Sequence, residues 1–222
     1  MPDSTVFVTG TNTEVGKTWL TARVAESLRA AGHEVIARKP VMSFDPADEL
    51  TDADVLSSAT GEPKGDICPI YRRYELPMAP PIAAEALGCP PFTIEELITD
   101  LSLPSAGIAL VEGVGGPRSP LASDGDSVAF IDLLQPDHVV LVAPSRLGAI
   151  NDVLTSRDAL GIDPLVFLNH FDPDNDLQGR NLSWLREKEG LVVVTEPAEI
   201  AQRLIPTAAN NVGAQSLPVE VQ

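Results

Sequence analysis

The stretch Gly10-Thr-Asn-Thr-Glu14-Val-Gly16-Lys17-Thr18 constrains this chain more than any other. It follows the apolar run Val6-Phe7-Val8 and precedes a helical pattern that puts Leu20, Val24, Leu28 and Ala31 on one face. A strand, a glycine-bounded loop and a helix in that order form a phosphate cradle. Loop amides and the positive end of the helix dipole face the anion. Lys17 would reach the β- and γ-phosphates, and the Thr18 hydroxyl would sit on Mg²⁺. Five residues, rather than the common four, separate Gly10 from Gly16.

A chain of 222 residues with 44% hydrophobic content has room for one substantial core. Its longest apolar runs, such as Val139 to Ala143, are too short to span a bilayer, and no basic segment followed by an apolar one opens the chain. Cys68 and Cys89 fit neither a CxxC nor a zinc spacing and read as unpaired thiols. These features point to a cytoplasmic protein. The net charge of −17 disfavours nucleic acid and acidic membrane as partners. Of the four lysines, Lys17 and Lys39 lie where strands would end.

Apolar runs alternate with helical patterns. Strands are predicted near 4–9, 34–38, 107–112, 138–143, 164–168 and 191–194, several without polar alternation, as in strands buried on both faces. Helices are predicted near 17–31, 52–60, 94–102, 127–134, 149–160 and 177–189. The expected fold is α/β: a mainly parallel sheet with helices on both faces and ligands beyond the carboxyl ends of the strands. Residues 42–104 look least regular and read as functional loops or a lid. The boundary near Ile205 separates a domain, 1–205, from a tail, 206–222, that is disordered or docked on a partner subunit.

Three further segments carry chemistry. Val111-Glu112-Gly113-Val114-Gly115-Gly116 puts a carboxylate at a strand end beside glycines that admit a ligand to the backbone, which suits a Mg²⁺ ligand. Lys39, held extended by Pro40, stands at the same sheet edge as Lys17 and would neutralise charge on a transferring phosphoryl group or a carboxylated substrate. Asp52 reads either as a second metal carboxylate or as a helix N-cap. Weaker candidates follow other strands: the turn Leu147-Gly148-Ala149-Ile150-Asn151 for an anion, and Asn169, whose amide can read a base edge. His33, His138 and His170 are scattered, and no nucleophile elbow is present.

Taken in order, these segments resemble dethiobiotin synthetase, the ATP-dependent carboxylase that closes the ureido ring in biotin synthesis. The match includes the longer loop with its Glu14, Lys39-Pro40-Val41 with Ser43, and the Asp52 region. Pro77 to Pro80, the turn 111–116 and the turn 147–151 complete it, and the whole spans about residues 4 to 200. The resemblance implies a P-loop NTPase-like domain in which Lys39 and Lys17 are catalytic. It implies that Glu14, Val15, Gly16, Lys17 and Thr18 hold the ATP phosphates, together with Asp52, Glu112, Gly113, Val114 and Gly115. Thr18, Asp52 and Glu112 would surround Mg²⁺. Thr13, Lys39 and Ser43 would contact the diamine or its carbamate. Gly148, Ala149 and Asn151 would take the substrate carboxylate, and Asn169, Glu196 and Pro197 would frame the base. The implied partners are a small-molecule diamine, 7,8-diaminopelargonic acid, with CO₂ and ATP. A homodimer is also implied, with Asn181 in the segment contributed by the neighbour.

This chain departs from the family's pattern in its C-terminal base-binding region, which is poorly matched, and at three further places. Phe44 stands in place of a small residue and would narrow the substrate entrance. Pro117-Arg118 replaces a more apolar pair. Asp152 stands where the family commonly has His, which would weaken anion binding unless its carboxylate points away. Other readings of the same motifs are a related amide-forming ligase, a nucleotide-switch ATPase, and a binding module that has lost activity.

Overall fold

A computed structural model describes residues 2–205. The chain opens with β1 (Ser4–Gly10), α1 (Lys17–Ala30), β2 (Val35–Arg38) and β3 (Met42–Ser43). Next come α2 (Asp52–Thr60), α3 (Lys64–Ile67), a 3₁₀ turn at Ile70–Arg72 and β4 (Arg73–Tyr74). Then follow α4 (Pro80–Ala86), α5 (Ile94–Asp100), β5 (Ile108–Glu112), β6 (Pro120–Ala122) and β7 (Gly125–Asp126). The last part holds α6 (Ser127–Leu134), β8 (His138–Pro144), α7 (Ala149–Leu160), β9 (Leu165–Asn169), α8 (Asp176–Glu187), β10 (Val193–Val194) and α9 (Pro197–Leu204).

Six strands form one parallel sheet in the order β10-β9-β8-β1-β5-β2. Period-two alternation splits the strand side chains between two apolar layers. Val6, Val8, Val140, Val142 and Phe167 pack with α1 and α9. On the opposite face Phe7, Val111 and Val139 meet α4, α5 and α6, and Leu141, Ala143, Val166 and Leu168 meet α7 and α8. The expected α/β architecture, with a mainly parallel sheet and helices on both faces, is therefore present.

Strand β5 inserts between β1 and β2, so the tips of all three converge at one sheet edge. Chain connections leave β1 and β5 in opposite directions across the sheet, the kind of switch point where such folds bind ligands.

Two expectations need correction. Residues 42–104 are an ordered layer, with β3 pairing parallel to β4 and α4 starting at Pro80, whose fixed φ suits a first helical turn. The other concerns α9, which falls beyond the last helix predicted. Its Pro197 start and its buried Ile200, Ala201 and Leu204 make it part of the core. The strand near 191–194 shrinks to Val193–Val194. Residues 206–222 lie outside the described residues, and so does the expected tail. Cys68 is buried and Cys89 exposed, both free. Among the described residues no helix is long and apolar enough to cross a membrane.

Candidate functional site

The loop between β1 and α1 is held in an uncommon backbone state. Gly16 has φ 94° and Glu14, a non-glycine, has φ 57°. Left-handed backbone at a side-chain-bearing residue costs energy and concentrates where the surroundings enforce it. Here Gly10 N–H donates to Gly115 O (3.3 Å), Thr11 N–H to Val142 O (2.8 Å) and Lys17 Nζ to Asn12 O (3.1 Å). Asn169, from the end of β9, donates through Nδ2 to Val15 O at 2.9 Å. A Cβ at Gly16 would fall 2.0 Å from that same Nδ2, so only glycine fits.

On the other side of the loop, five of the expected residues come together. Lys39 is 2% exposed and Glu112 not at all. The Lys39 ammonium lies 2.5 Å from Asp52 Oδ2, 2.6 Å from Glu112 Oε1 and 3.3 Å from Gly113 O, so each of its three protons has an acceptor. Burial alone would push the ammonium's pKa down; the two carboxylates outweigh it and hold the pKa above the ordinary lysine value. Burial raises the Asp52 carboxyl, but Lys39 and the Thr18 hydroxyl pull it below its usual range. Lys17 is pushed down to about 8, first by burial and then by the neighbouring Lys39 charge.

Thr18 Oγ1 lies 2.8 Å from Asp52 Oδ1 and 2.7 Å from Glu112 Oε1. A hydroxyl has one proton, so it can donate to only one of these carboxylates at a time. Glu112 Oε2 is buried with no hydrogen-bond partner among the described residues. A hydroxyl and two carboxylates converging in this way fit a hard divalent cation, which takes one or two carboxylates and completes its shell with phosphate oxygens and water. The alternative role for Asp52, as a helix N-cap, is corrected. Thr51 caps α2, in a capping box with Asp54, and Asp52 is left free to face Lys39 and Thr18.

The remaining expected residues lie around this centre. Gly113, Val114 and Gly115 run beside the loop, and a Cβ at Gly113 would reach 2.7 Å from the Phe7 ring. Ser43 Oγ donates to Met78 O at 2.5 Å, while Thr13 is exposed. Gly148 and Ala149 open α7, with Asn151 exposed in its first turn. Glu196 and Pro197 open α9. Phe44 packs on the apolar cluster of Met42, Ala53 and Leu56. Arg118 is exposed and pairs with Asp126 at 3.1 Å.

Arg146 has no counterpart in the sequence reading. Its guanidinium lies 3.2 Å from Asp152 Oδ2 and donates to Leu147 O at 3.0 Å, so it covers the turn and offsets the Asp152 charge. Its position directly before the turn was the available signal. Asn181 donates to Arg146 O of its own chain at 3.2 Å.

A parallel sheet with a glycine-bounded loop at the tip of β1, and a lysine and threonine opening α1, defines a P-loop NTPase-like protein. A family model described as an AAA domain matches residues 4–164. The ATP-dependent dethiobiotin synthetase BioD of Caulobacter vibrioides (strain NA1000 / CB15N) is 39% identical over 163 residues, 70% of this chain and 73% of that protein. The protein of the same name from Anaeromyxobacter dehalogenans is 32% identical over 213 residues, 89% of this chain and 92% of that one. The chain belongs to the dethiobiotin synthetase family. Among solved structures, the signal recognition particle receptor FtsY of Elizabethkingia anophelis aligns with TM-score 0.52 at 14% identity. That alignment covers 90% of this chain and 65% of the receptor, a likeness of fold.

Proposed function

We propose that this protein carboxylates 7,8-diaminopelargonic acid with CO₂ and closes the ureido ring to give dethiobiotin, using ATP and Mg²⁺. One amine of the substrate captures CO₂ as a carbamate. A carbamate oxygen attacks the γ-phosphorus of ATP and ADP leaves, giving a carbamic–phosphoric anhydride. The second amine then attacks the anhydride carbonyl, phosphate leaves and the ring closes. No side-chain nucleophile is needed, so catalysis is positioning and electrostatics.

The observation that carries this reading is the meeting of the buried Lys39 and Glu112 with the partly exposed Asp52, beside Lys17 and Thr18. Thr18, Asp52 and Glu112 would hold Mg²⁺, which supplies charge neutralisation on the phosphates when bound. Glu14 to Thr18 and the backbone at Gly113 to Gly115 would cradle the phosphates. Lys17 and Lys39 would stabilise charge spread over the transferring group, Lys39 from the carbamate side with Thr13 and Ser43. Gly148, Ala149 and Asn151 would receive the substrate carboxylate under the Arg146 guanidinium. Asn169, Glu196 and Pro197 would frame the base. The assembly is a homodimer, and the protein works in the cytoplasm.

The test is ADP formation with bicarbonate and Mg²⁺, the diamine added or withheld. Diamine-dependent ADP release, with a ureido product seen by mass spectrometry, is expected. ATP hydrolysis indifferent to the diamine and without a ring product would contradict the reading.

A further inference from the structure

The polarity of the sheet tips gives a bound nucleotide a direction. Lys39, Asp52 and Glu112 come from the β2–β5 side of β1, so a γ-phosphate and its cation belong there. From that end the phosphates run along the start of α1, and ribose and base extend to the other side of β1, toward β8, β9 and β10. Register levels that side: Asn169 pairs with Pro144 of β8, and Val194 of β10 pairs with Phe167, which puts Glu196 about level with Asn169. This inference rests on the nucleotide reading above.

Trp19 stands on that side of α1. It directly follows Thr18, and its ring centroid is 6.3 Å from that of Phe167 at an interplanar angle of 34°. Phe167 and Asn169, two residues apart on β9, share a strand face. Asn169 braces Val15 of the loop, while Phe167 sits buried beneath the indole. Trp19 nevertheless remains 45% exposed. Along α1 the neighbours on its stripe are the exposed Arg23 and Glu26, joined to each other by an ion pair, whereas Leu20, Val24 and Leu28 fill the core. Packing therefore places a large aromatic where a charged residue would serve the helix equally well. One indole face rests on the sheet edge and the rest is open beside the expected path of the base.

We propose that Trp19 is the wall against which the nucleotide base stacks. Every base has a π-face, so a stacking wall contributes affinity with little choice among bases. Recognition of the base edge would be left to Asn169, which keeps one amide proton and one carbonyl lone pair beyond its bonds to Val15 O and His170 N.

The chain has two tryptophans, so Trp184→Phe, on α8, which packs on the face of the sheet opposite α1, leaves Trp19 as the sole indole reporter. In that protein, ATP is expected to change Trp19 emission and inorganic tripolyphosphate to leave it unchanged. By calorimetry, Trp19→Ala should weaken ATP binding about tenfold, the range for loss of one base stack, with tripolyphosphate affinity kept within about twofold. Should Trp19→Ala fold poorly, Trp19→Phe, which keeps a π-face, must retain most of the ATP affinity. ATP bound with Trp19 emission unchanged and no loss in Trp19→Ala overturns the proposal while leaving the nucleotide reading intact. If neither ATP nor tripolyphosphate binds, the nucleotide reading falls and this inference falls with it.

Discussion

The two ends of the candidate site are built on different physics. On the β2–β5 side, Lys39 and Glu112 are buried at strand tips and paired through Glu112 Oε1, and with the backbone of Gly113 they leave little freedom. On the α7 side, the Arg146–Asp152 pair is a solvent-facing contact over an exposed turn. A buried, paired charge is expensive to disturb, because its partner is left without solvent or countercharge. An exposed pair contributes about 0–1 kcal/mol. Under the proposed function, the contrast gives rigid electrostatics to the reacting end and adjustable affinity to the end that would hold the substrate tail.

Three changes break or sharpen that contrast. The largest effect falls on Lys39→Met, which leaves the buried Glu112 without its paired ammonium and with only Lys17 as a neighbouring countercharge. Urea unfolding of the nucleotide-free protein should show a loss of about 3 kcal/mol, and Lys39→Met combined with Glu112→Gln should recover much of it. A loss below about 1 kcal/mol would mean that the pair is already solvated. Next is Gly16→Ala, whose Cβ would clash with Asn169 and needs an unfavourable φ. ATP affinity should fall by at least about tenfold, since strain of this kind costs about 1–3 kcal/mol, and a calorimetric titration reads it directly. Arg146→Ala is the mildest. Stability should stay within about 1 kcal/mol, while KM for the diamine rises several-fold with kcat nearly constant. A kcat loss instead would place Arg146 at the reacting end.

How much of this was legible beforehand differs by end in the same way. The six main strands and α1 follow from apolar runs and period, because burial on both faces leaves a plain signature. Lys17, Thr18 and Glu112 follow from motif chemistry. That Lys39 and Asp52 meet Glu112 depends on β5 threading between β1 and β2, a long-range pairing that no local pattern encodes. The two-residue strands β3 and β4 are too short to carry a period, and α4 was masked by its prolines. Arg146 shows in sequence only its place directly before the turn, and it is the fold that brings its guanidinium back over that turn.

The reacting end is tested most directly by steady-state kinetics of Lys39→Met beside ATP affinity measured on the same protein. If Lys39 acts on the transferring group, kcat falls about 100-fold or more, as for loss of one transition-state donor, while ATP affinity changes less than about threefold. Equal losses in turnover and ATP affinity would contradict the account, and Lys39 would then be a nucleotide anchor.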